Sequence, residues 1–330
     1  MTQDGQGQVP KPPATLSIDL DNLWCYQRSF GLEGWRQYPS FLEVALPRLL
    51  DLLDRLELRL TLFVIARDAE RAGVRALLAE AVARGHEVAN HSYDHETELH
   101  LWPRARVREE LVRAGEAIEA ACGQRPRGFR GPAYGTSADL LGVLAELGYA
   151  YDASSYPNTL GMLARHYHRR QMARLGGKAA LSEGMYGNFA DAMKPLAPYL
   201  WSLPEGTLVE VPVTTLPLLR LPFHGTYLNQ LASHAPGLAR AYFGSALWLC
   251  RRREVPPSFL LHAADLLGHD DCPSLDYLPG MRCSGDEKRV FMAEVLARYK
   301  REFDVQPIGA FVEGVTKAGG LREQPVGEGT

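Results

Sequence analysis

The chain has 330 residues, of which 46% are hydrophobic and 23% are charged, and its formal net charge is −3 at pH 7. This composition is typical of a globular protein long enough for a sizeable core, in one large domain or two smaller ones. The small net charge argues against a general affinity for nucleic acid. No apolar run approaches the ~18 residues that a membrane span requires.

The cysteines and the N-terminal segment bear on the cellular compartment. The five cysteines, at positions 25, 122, 250, 272 and 283, are scattered and form no CxxC pair. An odd, widely spaced set favours reduced thiols over a disulfide framework. The first residues are polar and rich in Gly, Gln and Pro, without the apolar centre of a signal peptide. We therefore expect a cytoplasmic protein.

From residue 14 onward, short apolar runs alternate with segments of helical periodicity, which predicts repeated strand–helix units. The predicted strands are 15–21, 58–65, 86–90, 128–132, 149–153, 208–213, 258–263 and 307–311. The predicted helices are 41–56, 69–84, 104–122, 136–147, 286–303, and one or two within 231–250. About seven such units predict an α/β fold with a parallel sheet, closed or nearly closed as a barrel. An open doubly wound sheet is the alternative.

Two segments interrupt this alternation within a single predicted domain, residues 14–316. Residues 157–204 form an insertion too long for a plain connection, and we expect a lid or a wall of a binding site. Residues 217–257 contain a Leu-rich, aromatic stretch that ends in consecutive arginines, which suits either a packing helix or contact with a membrane surface. Residues 1–13 and 317–330 are expected to be flexible tails.

Polar side chains follow the first and third predicted strands, at the edge that carries the chemistry in α/β barrels. Asp19 and Asp21 are two residues apart and would point to the same face. A helical turn after the third strand would place His91 and His95 side by side, where two neutral nitrogens can bind one metal ion. One aspartate could complete that site while the other serves as a base.

Three more polar residues end later strands. Arg130, which is followed by Gly-Pro, could hold a carboxylate in place. His262 closes an apolar strand and could protonate a leaving amine. Asp152 ends another strand and could orient either of them. Each residue alone has an ordinary structural explanation, so their order along the chain carries the interpretation.

Five motifs occur in a fixed order: Asp-Leu-Asp, His-Ser-x-x-His, Arg-x-Pro, Tyr-Asp-x-Ser-Ser and Leu-x-His. In this order they resemble the polysaccharide deacetylase family, carbohydrate esterase family 4, over roughly residues 15–315. The resemblance implies a deformed (β/α) barrel and metal-dependent hydrolysis of an N-acyl, sometimes O-acyl, group of a sugar. It implies one divalent ion, usually zinc, bound by Asp21, His91 and His95, although other transition metals suit the same ligands.

The resemblance also implies roles for the remaining motif residues. Asp19 would be the general base, Arg130 would orient it, and His262 would be the general acid. Leu260 would form an apolar slot for the acyl methyl group, and Tyr134 is a further candidate for contact with the substrate.

Departures from the family pattern leave some roles open. The Leu20 spacer between the two aspartates resembles a subgroup that includes deformylases of lipid-linked amino-arabinose, and it leaves the roles of Asp19 and Asp21 exchangeable. The family's Asp-Trp pair is absent, so either Asp152 or Asp265 could be the partner of His262. We expect a cytoplasmic enzyme acting on an acylated amino sugar, a glycan or a lipid-linked sugar, with peripheral contact at the inner face of the membrane.

Two other functions fit the same motifs. The chain could be a catalytically silent barrel that binds a glycan or a metal ion, although the base, the acid, the arginine and the three ligands are all present. It could also hydrolyse a cyclic amide or imide that is not a sugar. Ring opening releases no small acid, so the products would distinguish that reaction from deacylation.

Overall fold

The structure, a computed structural model, describes residues 10–177 and 191–326. The strands within these residues are β1 Pro13–Asp19, β2 Thr61–Val64, β3 Glu87–Asn90, β4 Gly128–Phe129, β5 Tyr151–Asp152, β6 Tyr199–Leu203, β7 Gly206–Glu210, β8 Ser258–His262, β9 Asp304–Gln306 and β10 Arg322–Pro325. The helices are α1 Leu23–Ser29, α2 Leu42–Arg55, α3 Ala66–Ala69, α4 Ala72–Ala83, α5 Arg104–Cys122, α6 Ala138–Glu146, α7 Gly161–Arg174, α8 Gly225–Ala232, α9 Pro236–Arg252, α10 Gly285–Glu302 and α11 Ile308–Ala318.

Within the described residues, seven strands form a parallel array in the order β7-β5-β4-β3-β2-β1-β8. The two ends of this array approach each other beyond β7. There Thr214 N donates to Ser258 O at 3.1 Å, and Ser258 N donates to Thr214 Oγ1 at 2.7 Å. The array is therefore a nearly closed, deformed barrel, which confirms the predicted fold class.

Three further strands extend the sheet. β6 pairs antiparallel with β7, β10 pairs parallel with β6, and β9 pairs parallel with β1. β10 lies within residues 317–330, so the prediction of a flexible tail is corrected for Arg322–Pro325. The predicted insertion 157–204 contains α7 and β6, whereas its residues 178–190 lie outside the described part of the chain.

The prediction of a last strand at 307–311 is wrong, because α11 begins at Ile308. Pro307 precedes the first helical residue, which suits a ring that fixes φ and donates no N–H. Ile308, Phe311 and Val312 are buried at helical spacing. Five residues of this stretch are too few to separate a strand from the first turn of a helix.

Strand β1 positions the functional residues because its side chains alternate between two environments. Leu16 and Ile18 belong to the main apolar cluster, together with residues of α2, α9 and α10. Ser17 and Asp19 point to the other face, inside the barrel, where both contact the same arginine. In the sheet register Asp19 lies beside His262 of β8, so two of the predicted catalytic residues are neighbours.

None of the helices within the described residues combines the length and the apolar character that crossing a bilayer would need.

Candidate active site

One carboxylate and two imidazoles meet where β1 and β3 end. His91 Nε2 and His95 Nε2 lie 3.3 and 3.1 Å from the same oxygen, Asp21 Oδ1. One potential ligand atom from each residue lies within 4.8 Å of the other two. Asp21 Oδ1 is buried and lacks a well-formed hydrogen bond within the described residues. Two imidazole nitrogens and a carboxylate oxygen suit a zinc ion or a similar divalent cation.

The ionisation of Asp21 fits such a role. Burial by itself would raise the pKa of Asp21, but the nearby imidazoles of His95 and His91 hold it well below its ordinary value. The carboxylate therefore stays ionised, as a metal ligand must.

The two histidines converge through an irregular loop, so the predicted helical turn is wrong. Ser92 and His95 have φ angles of 63° and 49°, in the left-handed region that non-glycine residues rarely adopt. The carboxylate of Glu110, on α5, accepts hydrogen bonds from Tyr93 N at 3.0 Å and Asp94 N at 3.2 Å. Side-chain bonds to the loop backbone thus replace the bonds that a helical turn would make.

The orientation of the His91 ring is fixed by a hydrogen bond on the side away from Asp21. Its Nδ1 lies 2.7 Å from the backbone oxygen of Arg130. Because a carbonyl oxygen only accepts, Nδ1 carries the proton and donates it. In the neutral imidazole Nε2 is then unprotonated, and it is this nitrogen that faces Asp21.

The expected contact between Arg130 and Asp19 is present. Arg130 Nη1 donates to Asp19 Oδ1 at 2.7 Å, and both side chains are buried. Nη1 also lies 3.1 Å from Ser17 Oγ, and Nε donates to Ala153 O at 2.8 Å. The guanidinium packs over the ring of Phe63 at 4.0 Å. These contacts hold the arginine in one orientation, and through it the carboxylate of Asp19.

His262 faces Asp19 with one nitrogen and Thr226 with the other. Its Nε2 lies 3.9 Å from Asp19 Oδ2, and its Nδ1 lies 3.1 Å from Thr226 Oγ1. The Thr226 hydroxyl donates to Asp265 Oδ2 at 3.3 Å, so its oxygen is left to accept the proton of His262 Nδ1. His262 N also donates to Asp265 Oδ2 at 2.9 Å. Of the two candidate partners, the structure brings Asp265 to His262.

Asp152 lies apart from His262, in β5. Its Oδ1 accepts from Ser154 Oγ at 2.5 Å, and Ser154 Oγ accepts from Gly131 N at 2.7 Å. Burial raises the pKa of Asp152, and burial together with the charge of Asp152 raises the pKa of Glu210 well above its ordinary value. Through Ser154, Asp152 braces the loop that follows Arg130.

A cavity of about 480 Å³ is lined by Asp19, Asp21, His91, His95 and His262, and α7 forms one of its walls. His168 of α7 stacks on Phe30, with ring centroids 4.0 Å apart and the planes inclined by 7°. The hydroxyl of Tyr167, also on α7, donates to Tyr277 O at 3.4 Å. Part of the insertion 157–204 thus closes the side of the cavity.

The two predicted substrate contacts differ in position. Tyr134 lines the cavity, with a φ angle of 64°, and its ring packs 4.7 Å from that of Tyr156. Leu260 is fully buried beside Ser17 in the sheet register and is not among the described residues that line the cavity. Leu260 lies beneath the site and does not form part of its surface.

The sequence analysis missed His224-Gly225-Thr226-Tyr227, at the start of α8. His224, Thr226 and Tyr227 line the cavity. A Cβ atom on Gly225 would lie 2.5 Å from Asp265 Oδ2, so only glycine allows this approach. A histidine, a threonine and a tyrosine around a glycine, directly after the largely apolar run 216–223, are the signal that could have drawn attention to it.

Lys288, on α10, was missed as well. This buried side chain lines the cavity and donates to Ala264 O at 2.6 Å. Burial lowers the pKa of Lys288 to about 8. The lysine braces the turn that carries Asp265.

Comparison with known proteins finds a family match within the first half of the chain. Residues 36–151 match the sequence model of the polysaccharide deacetylase family, and this segment includes His91, His95 and Arg130. These residues belong to a polysaccharide deacetylase domain. The family predicted from the order of the motifs is therefore confirmed.

Two relatives match part of this chain. A chitooligosaccharide deacetylase from Bradyrhizobium sp. (strain ANU 289) is 39% identical over 106 residues, which cover 32% of this chain and 47% of the relative. A peptidoglycan deacetylase-like protein from Gibberella zeae is 32% identical over 113 residues, 34% of this chain and 32% of the relative. The chain thus matches less than half the length of either relative.

The fold is similar to that of a candidate polysaccharide deacetylase from Mycobacterium smegmatis, seen in a crystal structure. The TM-score is 0.57, the sequence identity is 21%, and the comparison covers 97% of this chain and 95% of the other. At this level of identity the likeness shows a shared fold.

Proposed function

We propose that this chain is a metal-dependent hydrolase that removes an N-acyl group, acetyl or formyl, from an amino sugar. One observation carries the proposal: the Asp21, His91 and His95 cluster lines the same cavity as His262 and Asp19, the aspartate that Arg130 holds from beneath the cavity surface. The relatives named as deacetylases support it. A catalytically silent barrel would not need this complete set of groups.

Asp21, His91 and His95 would hold one divalent ion, and zinc suits the ligands best. When bound, the ion would polarise the acyl carbonyl and acidify the attacking water. Asp21 is the better ligand of the two aspartates because it lies against both imidazoles, whereas Asp19 is held by Arg130.

Asp19 would act as the general base. Arg130 engages Oδ1, so Oδ2 is the oxygen that remains to take a proton from the attacking water. This oxygen also faces His262 Nε2, at 3.9 Å. Base and acid therefore flank the same point in the cavity.

His262 would act as the general acid and deliver a proton to the departing nitrogen. Its Nδ1 proton is held by Thr226, which leaves Nε2 as the nitrogen that exchanges a proton with the substrate. Asp265 orients Thr226 and would stabilise the positive charge of a doubly protonated imidazole.

We propose that the substrate is an acylated amino sugar, free or carried on a glycan or a lipid. Tyr134, Tyr156 and Tyr227 supply aromatic rings to the cavity, which suit the C–H faces of a sugar. The exposed apolar side chains of Met162 and Leu163, on the basic helix α7, support peripheral contact with an anionic membrane surface. The five free thiols support the reducing environment of the cytoplasm.

The proposal is tested by measuring metal content and acid release together. The wild type, Asp21→Ala and His262→Ala are compared with Asp51→Ala, which changes an exposed aspartate on α2. Each protein is analysed for bound metal by mass spectrometry and for formate and acetate released from free and lipid-linked acylated amino sugars. We expect about one ion in the wild type, loss of the ion in Asp21→Ala, and retained metal with at least ~100-fold slower turnover in His262→Ala.

Other outcomes point elsewhere. Equal metal binding by Asp21→Ala would refute the ligand set. Bound metal without acid release from any sugar would favour the silent barrel. Consumption of a cyclic amide or imide without release of a small acid would indicate a ring-opening hydrolase.

A further inference from the structure

His224 is a buried imidazole that has no part in the reaction proposed above. It lines the cavity and is 6% exposed. Its ring centroid lies 5.5 Å from that of His262, 5.8 Å from that of Tyr156 and 4.8 Å from that of Tyr227. Its Nδ1 has no hydrogen-bond partner within the described residues. A buried polar nitrogen without a partner is a cost that a bound ligand can offset.

The surroundings of His224 keep the ring neutral. Burial lowers its pKa well below the ordinary value, and the positive charges of His262 and Arg130 act in the same direction. A neutral imidazole has one nitrogen that donates and one that accepts. Its natural partner is a hydroxyl group, which can do both, rather than an anion.

The position of His224 beside His262 determines which part of a substrate it can meet. In the proposed reaction His262 Nε2 approaches the amide nitrogen. An imidazole next to it can then meet a substituent of a ring carbon adjacent to the nitrogen-bearing carbon. In a 2-amino sugar these carbons are C1 and C3, and C3 keeps its hydroxyl group when the sugar is linked through C1. We infer that His224 binds this vicinal hydroxyl and selects substrates that carry it. The inference rests on the proposed function.

The local backbone supports this assignment. His224 directly precedes α8, and Thr226 holds His262 Nδ1 from the first turn of the same helix. Gly225 lets this end of the helix pack against Asp265. His224, which would bind the hydroxyl group, and Thr226, which orients His262, are therefore held at a fixed separation.

Sugars that differ by one hydroxyl test the inference. N-acetylglucosamine, its 3-deoxy analogue and its 6-deoxy analogue are compared with the wild type, His224→Ala and His224→Asn. His234→Ala, which removes an exposed imidazole, is the control. The readouts are kcat/KM for acid release and Kd by calorimetry, the latter on both zinc-loaded and metal-stripped protein.

We expect kcat/KM of the wild type to be lower for the 3-deoxy sugar than for N-acetylglucosamine by about tenfold or more. His224→Ala should reduce this preference to less than about threefold, and His224→Asn should restore part of it. For the 6-deoxy sugar, kcat/KM relative to N-acetylglucosamine should be the same in every protein. His234→Ala should match the wild type on all three sugars.

If His224→Ala lowers kcat/KM equally for N-acetylglucosamine and for its 3-deoxy analogue, His224 has a structural role and the inference is overturned. Discrimination in Kd without any acid release would support His224 as the recognition residue and refute the deacylase proposal. If the wild type binds none of the three sugars, the inference is overturned as well.

Discussion

At the level of single residues, Arg130 joins the two halves of the site. Its backbone oxygen accepts the Nδ1 proton of His91, and its guanidinium holds Asp19. The proposed metal ligand His91 is thus oriented by the main chain of Arg130, and the proposed base Asp19 by its side chain. A substitution at this position separates the two functions, because it removes the second contact and keeps the first.

Arg130→Met should therefore destabilise the fold and leave metal binding largely intact. The change leaves the Asp19 carboxylate buried without its partner, which costs about 3–5 kcal/mol of unfolding free energy. Urea denaturation and metal analysis check both expectations. The control is Arg127→Met, because Arg127 is exposed and forms a surface pair with Glu313 that is worth at most ~1 kcal/mol. Similar losses in the two variants would contradict the role of Arg130.

The sequence predicts the site residues that lie at strand ends. It does not reveal those at the start of helix α8. The positions of Asp19, Arg130 and His262 follow from strand ends that meet at one edge of a parallel sheet. Asp152 also ends a strand, but its side chain is bound by Ser154 rather than by His262. The link from His262 to Asp265 depends on a tight turn and a hydroxyl from another segment, and no pattern of spacing encodes that.

At the level of elements, the site depends on how closely α8 packs against the turn that follows β8. The missing side chain at Gly225 makes room for Asp265 Oδ2 and for Leu261 Cδ2, which would lie 2.5 and 2.7 Å from an added Cβ. Real Cβ atoms do not approach other atoms so closely, so either the helix or the turn would have to move.

Gly225→Ala should slow turnover by about tenfold or more, because a displacement of ~1 Å in a catalytic group has effects of this size. Bound metal should not change, since its ligands lie on other elements. Gly237→Ala, on α9, is the matched control because nothing lies within 4 Å of its added Cβ. We expect that control to alter unfolding free energy by no more than ~1 kcal/mol. Full activity in Gly225→Ala would show that the packing is not needed for function.

Elements were predicted well where the apolar pattern is long and poorly where it is short. The helices around residues 42–55 and 104–122 show a full buried stripe, which the sequence reveals. Strands β4 and β5 lie within the predicted strands 128–132 and 149–153 but have only two residues each, and the predicted strand 307–311 is the start of α11. The loop with His91 and His95 is shaped by backbone N–H groups that donate to the carboxylate of the distant Glu110, which local periodicity cannot predict.

At the level of the whole molecule, α7 presents a basic and apolar surface beside the cavity. Met162 is 75% exposed, and Leu163 is 66% exposed while also lining the cavity. Residues 161–177 contain no Asp or Glu, and Arg169 and Arg170 are exposed. Apolar contact next to positive charge is the combination that attracts a protein to an anionic lipid surface.

The protein should therefore co-sediment with phosphatidylglycerol vesicles more than with phosphatidylcholine vesicles, and less as salt is added. Combining Met162→Glu, Arg169→Glu and Arg170→Glu should weaken the association by at least ~tenfold, since each basic residue contributes about 1 kcal/mol near such a surface. Val290→Glu, which changes an exposed apolar residue on α10, should have no effect. Equal binding to both lipids, or none to either, would refute membrane contact through α7.

The wall that α7 adds to the cavity has an evolutionary consequence. The groups proposed for the chemistry stand on the barrel, whereas His224 and α7 belong to connecting segments that the sheet does not need. Both segments are long connections whose side chains, including Leu163 and His224, reach the cavity. Natural selection could therefore exchange the walls while inheriting the reaction unchanged. Descendants of one ancestral barrel would then come to accept different substrates through the divergence of these two connecting stretches.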